Sequence, residues 1–572
     1  MINKIPNHLH RYIVEQNYDN YTQIDQACWR FIMKISLAFF KNNADKTYLK
    51  GLQKTGITTD KIPKINNINK TLSKLGWRAV CVRGFIPPQA FMEFQSLKIM
   101  PIAADMRSHK NLTYTPSPDI VHEAAGHLPI IANMDYSKYL GEYGQIAIKA
   151  LISKEDMNLY YAIRNLSNIK ENPSATRYMI KKYEKHLISA YNKITFVSES
   201  ALLARMNWWT VEYGLIRNKN KTKIFGAGLL SSVGESENSL GYKVKKIPLS
   251  LNCLKYKYDI TEQQPQLFIT PSYKHLSKCL KKLSKKMSYK KGGIYGIKNA
   301  YKSQTLCTVE FESNIGISGI VENYVTHNNK IIFIKLIGPS QISFKNKQLN
   351  GHGTDYHSHG YSTPLVDIMK YKKPINKLNL KQLNELSLKK NMNVKLCFEK
   401  KISLSGKIIK IIKNKSKIIL ITFENCYVKE NKNTLFKPEW GQFDMICGSN
   451  ITSVYNGPSD KKKYYEIINN PISEGKYIIY NKTKKISDSK LEFYFKKLAK
   501  LKGEPYKKEK MKLLYDDFIK NKFNDWLFKY EILQFLKDEK DLWVRKIYKD
   551  LEKKSLADND IGRAIKRGLE LI

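Results

Sequence analysis

Residues 115–129 read Thr-Pro-Ser-Pro-Asp-Ile-Val-His-Glu-Ala-Ala-Gly-His-Leu-Pro, with histidines at His122 and His127 and a carboxylate at Glu123. Both histidines are candidate metal ligands. They stand five residues apart, not the four of a zinc-protease H-E-x-x-H segment. On an ideal α-helix, four residues bring a side chain back to within about 40° of its starting direction, and five leave it about 140° away. Two ligands of one ion at this spacing therefore predict that the helix ends or loosens between them. Gly126 and Pro129 are the residues that permit it.

A third ligand is required, and Glu212 is the best candidate. It is a lone carboxylate in the aromatic stretch Asn207-Trp208-Trp209-Thr210-Val211-Glu212-Tyr213-Gly214. A buried, unpaired carboxylate is costly, and a cation removes that cost. Two histidines and one carboxylate on one face of an octahedral ion form the facial triad of non-haem iron(II) oxygenases, whose open face takes dioxygen and water. Two readings compete with this one. The three residues can be ordinary helix-end and surface side chains, or His122, Glu123 and His127 can serve a zinc hydrolase, which the five-residue spacing disfavours.

Composition bounds the rest. A chain of 572 residues with 42% hydrophobic and 11% aromatic residues predicts roughly two or three domains with sizeable cores. There is no apolar run of about 18 residues and no charged-then-apolar start, so neither a membrane span nor a secretory signal is expected. Eight scattered cysteines without a C-x-x-C pair predict reduced thiols and a cytoplasmic setting. The net charge of +47 would ordinarily suggest nucleic acid. However, 86 of the 98 basic residues are lysine, and asparagine and isoleucine are abundant too, as in an AT-biased genome. Lysine is then expected to spread over solvated surfaces, with no specific nucleic-acid partner and no membrane. Arginine counts only 12, and nine of these precede residue 220.

The periodicity predicts an α+β chain in four parts. Residues 1–285 read as a mainly helical catalytic domain, opened by a helix over Gln23 to Asn42. Residues 286–300 read as a lysine-rich linker broken at Gly292-Gly293. Residues 301–460 read as a β-rich module, and 461–572 as a helical C-terminal region. Within the module a repeat recurs at an offset of 87 residues. Phe311-Glu312 matches Phe398-Glu399, Ile317-Ser318-Gly319 matches Leu404-Ser405-Gly406, and Lys330 to Ile334 matches Lys417 to Ile421. Three matches in register favour a duplicated β unit over coincidence in an Ile/Lys-rich alphabet. His352, His357 and His359 cluster beside Asp355 in a glycine-rich segment, which reads more readily as a surface loop between the repeats than as a metal site.

The segment around His122 resembles the iron-binding signature of the pterin-dependent aromatic amino acid hydroxylases, most closely their bacterial, phenylalanine-hydroxylating branch. Further segments agree in order. They are Gly76-Trp77, Gly84-Phe85-Ile86-Pro87, Arg107 eight residues before Thr115, Phe225 to Glu235 (Phe-Gly-Ala-Gly-Leu-Leu-Ser-Ser-Val-Gly-Glu) and Thr261-Glu262-Gln263-Gln264-Pro265. The resemblance covers about residues 10 to 275. Asn207 and Val233 depart from it, each standing where the family commonly has an aromatic.

The resemblance implies that His122, His127 and Glu212 hold Fe(II) and are the catalytic centre. It implies that Arg107 binds the amino acid carboxylate, with Thr115 and Ser231 as hydrogen-bond partners and Asp119 and Ser232 behind them, and that Trp208 belongs to the substrate pocket. A tetrahydropterin, tetrahydrobiopterin or a relative, would stack on Phe91, reach Glu123, and meet backbone near Ile86. The implied reaction is hydroxylation of L-phenylalanine to L-tyrosine with dioxygen. Trp208 and Ile269 favour phenylalanine, with tryptophan or tyrosine as the alternative substrates.

Overall fold

The computed structural model describes residues 5–109, 112, 117–172, 174–219, 221–258, 263–467, 489–502, 504, 507–539 and 541–572. The helix Gln23–Asn43 runs through the N-terminal half. Its start is fixed by a capping box. The Asp25 N–H donates to Thr22 Oγ1 at 3.1 Å, and the Thr22 N–H donates to the Asp25 carboxylate at 3.0 Å. Cys28, Phe31, Ile32 and Ile35 recur at helical spacing and are buried.

Two small sheets flank the helices of this half. β1 (Arg78–Val82) and β2 (Ile99–Ala103) pair in parallel, with the helix Pro88–Ser96 between them in sequence. β3 (Leu215–Asn218), β4 (Lys221–Ile224), β5 (Lys245–Pro248) and β6 (Gln266–Thr270) form a mixed sheet in the order β4-β3-β6-β5.

The expected linker is not one. Residues within 286–300 form the helices Ser288–Lys291 and Gly293–Ser303, with Gly292 at φ 56° as the break. Burial explains the order. Ile297 and Ala300 are buried, and Glu199 accepts hydrogen bonds from the Ser288 N–H at 2.6 Å and the Ser288 hydroxyl at 2.7 Å. A charged carboxylate so engaged fixes this segment against the N-terminal half.

The β region contains β7 (Leu306–Phe311), β8 (Ile315–His327), β9 (Lys330–Phe344), β10 (Lys347–Gln348), β11 (Gly360–Pro364), β12 (Asn393–Cys397), β13 (Ile402–Asn414), β14 (Lys417–Glu430), β15 (Asn433–Phe436), β16 (Phe443–Ile446) and β17 (Ile451–Asn456). One sheet runs β10-β9-β8-β7-β17 with β11 also on β9, and the other runs β12-β13-β14-β15 with β16 also on β14. The offset of 87 carries into the strand register. The β8–β9 pairs Ile320↔Ile337, Val325↔Phe333 and His327↔Lys330 recur as the β13–β14 pairs Lys407↔Glu424, Ile412↔Leu420 and Asn414↔Lys417. The three register shifts of the first hairpin, at Ser318/Ile320, Val321/Asn323 and Val325/Thr326, also recur at Ser405/Lys407, Ile408/Lys410 and Ile412/Lys413. A bulge costs ladder hydrogen bonds and re-aims the strand, so the same three in the same places mark two copies of one hairpin.

The expected surface loop is a correction. His352 and His357 are buried, and only His359 of the three is exposed. The backbone explains this. The segment returns to pair with β9, with the Ile342 N–H donating to the His352 carbonyl and the Ser340 N–H to the His357 carbonyl.

The last part is helical: Ser489–Leu501, Lys507–Lys520, Trp526–Phe535, Leu542–Ser555 and Asp560–Leu569. These helices share one hydrophobic core with the N-terminal half, continuous from Ile24 to Leu569. Phe31 meets the Trp526 and Tyr530 rings edge-on at 5.0 and 4.7 Å. Arg30 forms a forked pair with Glu531, at 2.6 Å from Nη2 and 3.1 Å from Nε. Glu492 accepts the Gln23 and Ile24 N–H groups at 2.9 and 3.2 Å, a carboxylate at a helix N-terminus. Among the described residues no helix is long and apolar enough to cross a membrane.

Candidate active site

Both segments that carry the expected metal ligands are π-helical. Val121–His127 and Trp208–Glu212 wind with i→i+5 geometry, as in the 2.8 Å bond from the Tyr213 N–H to the Trp208 carbonyl. This widening is the form the expected loosening takes. In a π-turn, residues five apart lie on one face, so His122 and His127 point the same way without the helix ending. Gly126 has a different reason to be glycine. A Cβ there would lie 2.8 Å from the Ala227 carbonyl, so the segment could not approach the helix Ala227–Leu230. Gly226 likewise sits where a Cβ would strike the Glu212 carbonyl at 2.4 Å.

The three side chains converge. His127 Nε2 lies 3.2 Å from His122 Nε2. Glu212 reaches His122 Nε2 at 3.4 Å through Oε2, and His127 Nε2 at 3.4 Å through Oε1. Ligand atoms of an ion with bonds of about 2.0–2.2 Å stand about 3.0–3.5 Å apart, so this donor set fits a divalent metal. The tautomer of His122 agrees. Ser231 Oγ donates its one proton to the Ala227 carbonyl at 2.8 Å, so it accepts from His122 Nδ1–H at 2.9 Å. The lone pair of His122 is then on Nε2, facing the cluster. Burial pushes Glu212 up to about 8 and His122 down to about 4, and it lowers His127 well below the usual range. Two neutral imidazoles and a carboxylate whose charge lacks a cation are what a metal would compensate.

The cluster opens on a cavity of about 1200 Å³. Beside the three converging residues, Ile86, Phe91, Arg107, Glu123, Trp208, Ser231 and Ser232 line it, whereas Asp119 stands behind the lining. Thr115 lies outside the described residues, as do Thr261 and Glu262. Ile269 sits in β6, paired with Leu215 and Pro248 in the core and absent from the lining, so it is not positioned to select a substrate.

Arg107 is held before any ligand arrives. Its Nε and Nη2 donate to Asp119 at 2.7 and 2.9 Å, and Asp119 Oδ1 also accepts the His122 N–H at 3.1 Å. Burial opposes the Asp119 charge, but Arg107 outweighs it and keeps the carboxyl below its ordinary value. Asp119 thus couples the guanidinium to the segment Val121–His127. Ser231 sits beside Arg107, its carbonyl accepting from Nη1 at 3.4 Å, while its hydroxyl oxygen accepts from His122 Nδ1–H. Glu123 is buried with Oε2 unpartnered. Burial, with Glu212 and Asp119 nearby, raises its carboxyl well above the ordinary value. Trp208 is stacked between Tyr213 and Tyr258 at 4.5 and 4.4 Å, forming an aromatic wall. Asn207, a departure from the family pattern, donates to Glu212 Oε1 at 3.4 Å.

Sequence reasoning missed one wall. Asp560, Arg563, Ala564 and Arg567 of the last helix line the same cavity, and Arg567 pairs with Glu237 of the helix Val233–Leu240. The signal was available. Of the three arginines after residue 220 in this lysine-rich chain, two are Arg563 and Arg567. Glu235 was also missed. It lines the cavity and burial pushes it up to about 7.

Comparison with known proteins follows the same line. The chain is 27% identical over 272 residues to the phenylalanine-4-hydroxylase of Pseudomonas aeruginosa, covering 46% of this chain and 87% of that protein. It is 27% identical to that of Ralstonia nicotianae, covering 46% and 72%. Among solved structures it is similar to the Chromobacterium violaceum phenylalanine hydroxylase with bound iron(III) and 7,8-dihydrobiopterin, at 24% identity and a TM-score of 0.38, covering 49% of this chain and 91% of that one. The family model for biopterin-dependent aromatic amino acid hydroxylases matches residues 10–201 and 197–305. These matches span more than half of the sequence, and the chain belongs to the biopterin-dependent aromatic amino acid hydroxylases.

Proposed function

We propose that this protein is a monooxygenase that hydroxylates the ring of L-phenylalanine to L-tyrosine, using dioxygen, a tetrahydropterin and Fe(II). The observation that carries the reading is the convergence of His122, His127 and Glu212 within 3.4 Å of one another at a cavity of about 1200 Å³. The two relatives named above are phenylalanine-4-hydroxylases, which supports phenylalanine as the substrate.

His122, His127 and Glu212 would hold the iron, and Phe91, Glu123 and the backbone near Ile86 would hold the pterin. When bound, iron and pterin supply the two-electron activation of dioxygen. The protein's own residues do the positioning. Asp119 holds the Nε and one Nη2 N–H of Arg107, Nη1 donates at 3.4 Å to the Leu112 and Ser231 carbonyls, and the remaining Nη2 N–H is left for the amino acid carboxylate. The aromatic wall at Trp208 receives the ring. Glu123, whose carboxyl burial raises well above its ordinary value, accepts from a pterin ring and, when protonated, donates to it. Ser231 keeps the His122 lone pair on the metal side. Arg563, paired with Asp558 and Asp560, and Arg567, paired with Glu237, close the cavity edge with ion pairs. Eight free cysteines, seven of them buried, accord with a cytoplasmic setting.

The test is product analysis of purified protein with Fe(II), a tetrahydropterin and each aromatic amino acid in turn, under air. Tyrosine from phenylalanine, dependent on both iron and pterin, is the expected result. No product from any amino acid, with iron bound, would overturn the assignment.

A further inference from the structure

A second cluster of two histidines and a carboxylate lies in the β region, far in sequence from the first. His352 and His357 come from the segment between β10 and β11, and Asp444 comes from β16 in the other sheet. All three are buried, at 2%, 8% and 3% exposure. His352 Nδ1 lies 3.3 Å from His357 Nε2, and Asp444 Oδ2 lies 3.8 and 3.9 Å from these two nitrogens.

Those distances are too long for hydrogen bonds to Asp444 and short for three groups with nothing between them. Without a cation, one imidazole N–H must point at the other ring, and Asp444 Oδ2 receives neither. His352 Nε2 is buried without a hydrogen-bond partner. The other oxygen of Asp444 is fixed, accepting from the Thr422 hydroxyl at 2.6 Å, and the Tyr361 hydroxyl holds the Asp444 carbonyl at 2.7 Å. The carboxylate is therefore oriented with Oδ2 toward the imidazoles, as an outer-shell partner orients a metal ligand. Tyr356 and Tyr361 close the surroundings, with rings 4.7 and 5.4 Å from that of His357.

We infer that His352 Nδ1, His357 Nε2 and Asp444 Oδ2 bind a zinc-class transition-metal ion that ties the loop of the first β sheet to β16 of the second. A contraction of roughly half an ångström brings all three atoms to the spacing that metal–ligand bonds of about 2.0–2.2 Å require. Two imidazoles and one carboxylate form a borderline donor set that selects zinc, cobalt or iron over magnesium or calcium. The pairing also breaks the symmetry of the duplication, because the histidines come from one copy and the carboxylate from the other.

The experiment uses the full chain, stripped with chelator and titrated with Co²⁺ while the visible d–d absorption is recorded. The first protein is His122→Ala, in which the β region is unaltered. It is expected to take up one equivalent of Co²⁺, which zinc then displaces, and no uptake would overturn the inference. Adding Asp444→Asn or His357→Gln to that background should remove the remaining equivalent while far-UV circular dichroism stays unchanged. Undiminished uptake in a folded double variant would overturn the ligand assignment. Uptake of two equivalents by the otherwise unaltered chain and one by His122→Ala separates this site from the hydroxylase centre.

Discussion

The molecule carries two clusters, each of two histidines and a carboxylate, in opposite settings. His122, His127 and Glu212 lie at 3.2–3.4 Å on two π-helical turns and face a cavity of about 1200 Å³. His352, His357 and Asp444 lie at 3.3–3.9 Å between two sheets and are enclosed by side chains. An ion needs open coordination positions to do chemistry, and a closed shell to do structural work. Two imidazoles and a carboxylate can serve either end, and the scaffold decides which. The π-helices bring adjacent turns of one helix onto a cavity wall, whereas the duplicated hairpins bury their shared seam.

The largest effect that tests this contrast is at the open cluster. Glu212→Ala is expected to abolish tyrosine formation and iron retention together, measured by product analysis and metal content on the same sample. Retained activity would mean that Glu212 is not a ligand. Next in size is the contact that lets the C-terminal helices complete the cavity. Arg30→Ala leaves the buried Glu531 with Lys502 at 3.1 Å as its remaining cation and is expected to cost about 3 kcal/mol of stability, read by calorimetry. The pH dependence has a definite sign. Burial opposes the Glu531 charge, but Arg30 and Lys502 outweigh it and hold the carboxyl below its ordinary value. Its stabilisation is therefore fully present above about pH 4.5 and is lost as pH falls through the lower folded value. Glu531→Gln should flatten the acid limb of Tm against pH, and an unchanged limb would remove Glu531 from the account.

Arg107→Ala should raise KM for the amino acid by roughly thirtyfold or more, from a loss of about 2–5 kcal/mol, much of it from stranding Asp119. An unchanged KM would dissociate Arg107 from the carboxylate. The smallest effect is at Ser231. Losing its hydroxyl frees the His122 tautomer, so Ser231→Ala should weaken iron binding by about 10- to 100-fold with the fold intact. If KM rises while iron affinity holds, the hydroxyl serves the substrate instead.

Parts of this site were legible because local sequence carried them. His122, His127, Glu212, Arg107 and the glycines of residues 225–228 stand in short runs whose spacing has a local cause, and Gly226 is required by the Glu212 carbonyl. Other parts were not legible because their partner is remote. The nearest carboxylate in sequence to His357 is Asp355, yet the one that faces it is Asp444, from the second copy of the repeat. The contact between the Ser231 hydroxyl and His122 was not legible either, because the short helix before Ser231 sets it. Residues 286–300 have the composition of a linker, but Glu199 and β17 order them as helix.

The sequence by itself determined the family, the three residues that converge in the open cluster, the β duplication and the helical ends, because each is written in a motif or a periodicity of neighbouring residues. Only the tertiary structure decided that the last helix walls the active site and that two histidines of one repeat meet an aspartate of the other. Those contacts join residues hundreds and tens of positions apart, and no local pattern encodes which buried surfaces will meet when a continuous core from Ile24 to Leu569 closes.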